Sequence, residues 1–189
     1  MSIKFRLILL AAIPLLVITA LGVRNTMYNA RVAQEMKDIQ KLSDLAVHLS
    51  AMVHETQKER GRTAGYLGSK GTKFSAELAD QRKLADTRIA EVRNFLENFD
   101  PTDFDQTFQD SLADALAKLD QIDGKRQAVS DQSIPAGEAI GYYTAMNGKF
   151  LDAIGVMSEQ SQDADLTRTN DASQHFLNGK EPAITSKRN

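Results

Sequence analysis

The segment LSDLAVHLSAMVHETQKERGRTAGYL, residues 42–67, places Leu42, Leu45, Leu49, Met52, Val53, Thr56, Arg60, Ala64 and Leu67 at steps of three and four. That spacing lines one face of an α-helix, and a helix this long with one apolar face must bury it against other helices. Arg60 falls on the apolar face. At about 100° per residue it points within about 20° of Leu49, while Arg62 points to the opposite side and is solvated. An inward guanidinium requires an anion, because an uncompensated charge in an apolar interior is costly.

Outward from this segment, Gly68, Ser69 and Gly71 supply turn chemistry. A second helix is predicted from Lys73 to Phe99, with Phe74, Leu78, Ala85, Ile89, Val92, Leu96 and Phe99 on one face, and it ends before Pro101. A third begins near Asp103, with acidic residues in its first turn, and turns Leu112, Ala115, Leu116, Leu119, Ile122 and Val129 inward. Pro135 opens a fourth, with the stripe Ile140, Tyr143, Asn147, Phe150, Leu151, Ile154 and Met157. A fifth helical segment covers Asp163 to Lys180, with Leu166, Phe176 and Leu177. No stretch alternates in the manner of a strand. The expected fold is therefore all-α: an antiparallel up-down-up-down four-helix bundle with a fifth segment beside it.

The N-terminus reads differently. After Lys4 and Arg6, the run LILLAAIPLLVITALGV from Leu7 to Val23 is uncharged and almost wholly apolar. Its helical length of roughly 25 Å is near the lower bound for crossing a bilayer core, which makes it a transmembrane anchor running into the first bundle helix. A cleaved signal peptide is the competing reading, but the run is long for a signal core and lacks a small-x-small cleavage site near Ala20. The charges on either side, with Arg24, Arg31, Lys37 and Lys41 following the run, do not fix its orientation. The expected organisation is a stub and anchor over residues 1–24, a helical domain over 25–181 and an atypical tail over 182–189.

Up-down topology converts spacing into depth. Arg60 precedes the first turn of the bundle, Gln81 follows it, Arg126 precedes the second turn and Tyr143 follows Pro135, all at similar distances along their helices. These four residues are predicted to form one polar layer. Two readings of that layer stay open on geometry. It is an anion site, or it is a structural ion-pair network in a stalk or dimerisation module, with Asp123 one turn from Arg126 and Glu59 beside Arg60. Arg62 and Arg82 are further cationic candidates.

Composition excludes other classes. Among 189 residues there is no Cys and no Trp, so disulfides, thiol catalysis and thiolate metal sites are absent, and His48, His54 and His175 have no metal-ligand spacing. The net charge of −2 and the lack of a basic stripe argue against a nucleic-acid partner. No nucleophile, base and orienting group converge, so no enzyme and no cofactor are expected.

Gln57-Lys58-Glu59-Arg60-Gly61, the Gly68-Ser69-x-Gly71 turn and Gln81-Arg82 resemble the nitrate- and nitrite-sensing (NIT) domain of bacterial chemoreceptors, related membrane signalling proteins and some antiterminators. Arg126 with Val129, Tyr142 and Tyr143, and Lys180-Glu181 after Leu166-Thr167-Arg168 extend the resemblance from about Leu42 to Glu181. It implies a nitrate or nitrite ligand taken by arginines, with Arg60 in the matching Glu-Arg-Gly motif. It further implies an N-terminus in the cytoplasm, a sensor domain in the periplasm held at the inner membrane, and a homodimer or pairing with receptor subunits. Where the family continues with Gly and Glu-Arg, this chain has Ile184, Ser186 and Lys187, so the resemblance covers the first half of the sensing domain.

Overall fold

The computed structural model describes residues 3–178; side chains at 4–9, 11, 161 and 163–178 fall outside that description. The elements are α1 (Ile3–Gly68), α2 (Ser75–Leu96), a 3₁₀ turn (Pro101–Asp103), α3 (Gln106–Leu119), α4 (Ile122–Ser130) and α5 (Ala136–Asn178). The described residues contain no strand, as expected of an all-α chain. Residues 1–40 and 41–189 form two compact units.

In the first unit the backbone is helical through Pro14, and Ile13, Leu15, Leu16, Val17, Ile18, Leu21, Val23 and Met27 are exposed. Thr19 and Thr26 return their hydroxyls to the carbonyls of Leu15 and Gly22, one turn back. Among the described residues no helix is long and apolar enough to cross a membrane, which corrects the expected transmembrane anchor. Leu7, Ile8, Leu9 and Ala11 of the predicted span belong to the positions whose side chains lie outside the description.

The second unit is a helical bundle. On α1 the fully buried positions are Leu45, Leu49, Met52, Thr56, Glu59 and Thr63. Steps of four and three alternate strictly along this series, the period that keeps one seam of a helix against its neighbours. The same alternation runs through Phe108, Leu112, Ala115, Leu119, Ile122, Arg126 and Val129, and through Ala139, Tyr143, Met146, Phe150, Ala153 and Met157. Each large apolar side chain fully removed from water contributes about 1.5–3 kcal/mol. Phe95, Phe99, Phe104 and Phe108 close one end of the core; Phe99 and Phe104 stack at 5.3 Å between centroids, and Phe108 meets both edge-on. At the other end Leu78, Val129, Ile134 and Ala139 form a smaller cluster.

Several element bounds differ from the sequence reading. The predicted third helix is interrupted at Asp120–Gln121, where the Gln121 amide donates to the Lys118 carbonyl in a tightened i to i−3 turn. Its core stripe continues through the interruption. Asp105 starts α3 by accepting the Phe108 amide at 2.8 Å, a capping bond that places the start two residues after Asp103. The fourth helix and the fifth segment are one helix, α5, because no Gly or Pro separates Met157 from Asp163 to end it. Phe74 is not on the buried face of α2. It precedes the helix with φ 67° and lies over Gly65, where an added Cβ would sit 2.9 Å from the ring. Lys180 and Glu181 and the 182–189 tail lie outside the described residues.

The α1–α2 and α4–α5 turns meet at one end of the bundle. Gly71 has φ 74° and an added Cβ there would come within 2.2 Å of Gln132 Nε2, itself carried by a residue at φ 54°. A Gly71→Ala variant is expected to lose about 1 kcal/mol of stability, since the left-handed backbone angle opposes a side chain while the end of the Gln132 side chain can swing aside. Chemical denaturation of the variant beside the parent measures this; equal midpoints would show that the turn accommodates alanine without strain.

Candidate functional site

The polar layer forms at the expected depth, and its central residue is Glu59. Because Thr56 is followed by a step of three, Glu59 enters the seam of α1 and Arg60 turns about 100° away from it. Glu59 is fully buried. Both its oxygens are held by Arg126 of α4: Nε donates to Oε1 and Nη2 to Oε2, each at 2.7 Å, the two-pronged geometry that makes guanidinium–carboxylate pairs strong. The Tyr143 hydroxyl of α5 donates to Oε1 at 2.7 Å. Arg126 Nη1 donates to Asp86 of α2 and lies 3.6 Å from Asp123. One carboxylate thereby ties α1 to α4 and α5, and through Arg126 to α2.

Arg82 of α2 is mostly buried beside this pair. Its Nη1 donates to Ser130 Oγ at 2.9 Å and its Nη2 to the Arg126 carbonyl at 3.1 Å, while Nε, 3.6 Å from Glu59 Oε1, has no hydrogen-bond partner. Gln81 is buried one turn away, donating to the Glu55 carboxylate at 2.7 Å and the Glu55 carbonyl at 3.2 Å. Below the layer Thr56 donates to Asn147 Oδ1 at 2.6 Å. Burial opposes the charge on Arg126, but Glu59 and Asp86 outweigh it and raise the guanidinium above its ordinary value. Burial, then the Glu59 charge, pushes the Tyr143 phenol up, so it remains a donor.

Of the residues singled out from sequence, Arg126 and Tyr143 are buried in this layer, and Gln81 is buried one turn away against Glu55. Arg60 is not in it: the inward acid is Glu59, and Arg60 is half-buried on α1 beside α5. Its Nη1 donates to the Thr144 hydroxyl at 3.0 Å, and it makes no ion pair among the described residues. Thr144 adjoins Tyr143, so Arg60 stands directly outside the layer. Arg62 is exposed, as expected, and with Lys58, Gly61, Gly65 and Phe74 lines an open cleft of about 290 Å³. The inward position missed by sequence, Glu59, had a readable signal in the strict alternation of three and four through Thr56 and Thr63, whereas Arg82, a further cationic candidate from sequence, reaches the pair from beside the buried face of α2.

Residues 51–184 match the family model described as nitrate and nitrite sensing, NIT. The chain belongs to the NIT family. This NIT chain is 27% identical over 158 residues to a nitrate regulatory protein of Klebsiella oxytoca, an alignment covering 79% of the chain and 38% of that protein. It superposes on the solved structure of the NasR transcription antiterminator with a TM-score of 0.64 at 26% identity, covering 74% of this chain and 38% of the other. The NIT chain therefore spans well under half the length of either relative.

These relatives correct three expectations. The reading as a membrane-anchored periplasmic input of a chemoreceptor is overturned, because the matched proteins are a nitrate regulatory protein and a transcription antiterminator. The single-pass inner-membrane placement falls with it, since no helix among the described residues is long and apolar enough to span a bilayer. The exclusion of nucleic acid among the partners is also withdrawn, one of the proteins it resembles being an antiterminator. Its basis was a net charge of −2 and the lack of a basic stripe over these 189 residues, whereas the match covers only 38% of each relative.

Proposed function

We propose that this NIT chain is a non-enzymatic module of a nitrate- or nitrite-responsive regulator, and that Arg60 is the group with which its bundle takes the anion. The carrying observation is the division of labour at Glu59-Arg60. Glu59 neutralises Arg126 inside the bundle, while Arg60 is half-buried outside that pair with a neutral hydroxyl as its partner. A guanidinium so placed keeps most of its planar fork available, and that fork matches two oxygens of a flat trigonal monoanion. The exposed Lys58 and Arg62 on the same helix add positive potential that favours anion approach. Gln81 and Tyr143 support the layer behind Arg60 through Glu55 and Glu59. The nitrate and nitrite sensing family and the matched nitrate regulatory protein support the choice of anion.

Calorimetric titration with nitrate, nitrite and chloride tests this. The chain is expected to give saturable heat with nitrate or nitrite and none with chloride. Arg60→Met is expected to abolish the heat while changing stability by no more than about 0.5 kcal/mol, because Arg60 is partly exposed and outside the buried network. Arg60→Lys keeps the charge but loses the fork and is expected to weaken binding. An Arg60→Met variant that binds nitrate as tightly as the parent would sink the assignment.

A further inference from the structure

The carboxylate of Glu59 is held as an exogenous ligand would be. Arg126 grips both oxygens edge-on at 2.7 Å, Tyr143 adds a donor at 2.7 Å, and the buried Nε of Arg82 points toward the same oxygen from 3.6 Å with no hydrogen bond of its own. A carboxylate presents two oxygens on a planar centre, and so do nitrate, nitrite and formate. Four elements converge on this one group, and the receiving side chains come from three of them, so the receptor for the carboxylate is assembled without α1. We propose that Arg126, Arg82 and Tyr143 constitute a built site for a small planar monoanion, which the native bundle keeps closed with the carboxylate of its own Glu59.

The tether explains why such a site is occupied from within. A side chain anchored on a neighbouring helix competes at an effective concentration far above that of a free anion. An external anion reaches Arg126 only in a state where α1 has withdrawn Glu59, and Glu59 adjoins Arg60 along the chain. This site is independent of the surface anion contact at Arg60, and the test is made in an Arg60→Met background so that the surface contact makes no contribution.

The experiment compares thermal unfolding of the full chain carrying Arg60→Met with the same chain also carrying Glu59→Ala, in chloride, nitrate and formate. With Glu59 shortened, saturating formate or nitrate is expected to raise the melting temperature by roughly 5–10 °C over chloride. The chain retaining Glu59 is expected to show no such rise. Adding Arg126→Met to the Glu59→Ala chain should abolish it, and Glu59→Gln, whose amide still fills the space, should not acquire it. Should Glu59→Ala be unfolded in chloride, recovery of its helical signal on adding formate supports the proposal. The proposal is overturned by a rise of equal size in all chains, which marks a general salt effect. It is equally overturned if Glu59→Ala gains nothing from planar anions or stays unfolded at every concentration of them.

Discussion

Arg126→Met is expected to cost the bundle roughly 3–5 kcal/mol, a fall of about 6–20 °C in melting temperature for a chain of this size. The cause is less the loss of a favourable pair than the condition in which it leaves Glu59. That carboxylate is fully buried and would keep only the Tyr143 hydroxyl at hydrogen-bond distance, with Arg82 Nε farther off at 3.6 Å. Replacing both partners, Glu59→Met with Arg126→Met, is expected to restore most of the loss, because two apolar side chains need no partner. Equilibrium denaturation of the two single variants and the double variant closes the cycle. A single Arg126 variant within about 1 kcal/mol of the parent would show that water reaches Glu59 and that the pair is not desolvated.

Phe108→Ala is expected to be as damaging by a different route. Its ring is fully buried and meets Phe99 and Phe104 edge-on at 6.0 and 5.4 Å, so truncation opens a cavity in the aromatic end of the core. The expected loss is roughly 3–5 kcal/mol, the usual range for a buried phenylalanine. Phe108 belongs to the end of the core opposite the Leu78 cluster, away from the polar layer. At temperatures where the variant remains folded, its nitrate heat should therefore equal that of the parent. A loss of nitrate heat in a folded Phe108 variant would show that the aromatic end and the anion contact act as one unit.

The fold was legible because its information is periodic. Leucines and aromatics at steps of three and four, turns at Gly68–Gly71 and the start at Pro135 placed the bundle helices and the depth of the polar layer. What failed was angular resolution. A charged residue in an apolar seam carries no hydrophobicity by which to be found, and at Thr56 the next inward position is reached by three residues or by four. Reading four put Arg60 inside; the molecule uses three and puts Glu59 there. The alternation through Leu45, Leu49 and Met52 favours the shorter step after the longer one, but Thr56 and Thr63 blur it by being polar themselves. Arg82 was obscured in the same way, since Gln81 already occupies the buried face of α2 and only the reach of a long side chain brings Arg82 to Glu59. The tightened turn at Asp120–Gln121 and the unbroken α5 left no Gly or Pro to mark them.

The pairing of Glu59 with Arg126 has a consequence for how α1 is aligned in the bundle. The buried positions of α1 repeat every seven residues, Leu42 to Leu49 and Leu45 to Met52, so a helix slipped by one such repeat would still offer the core a largely apolar face. The polar layer does not tolerate that error. A slip of seven residues removes the carboxylate from Arg126 and sets Met52 or Tyr66 at its level, leaving a largely buried guanidinium without that partner. The slipped bundle is thus penalised electrostatically where packing alone would penalise it little, the role that single polar residues serve in fixing the register of coiled coils. The buried pair thereby favours one alignment of α1 over those displaced from it by a heptad.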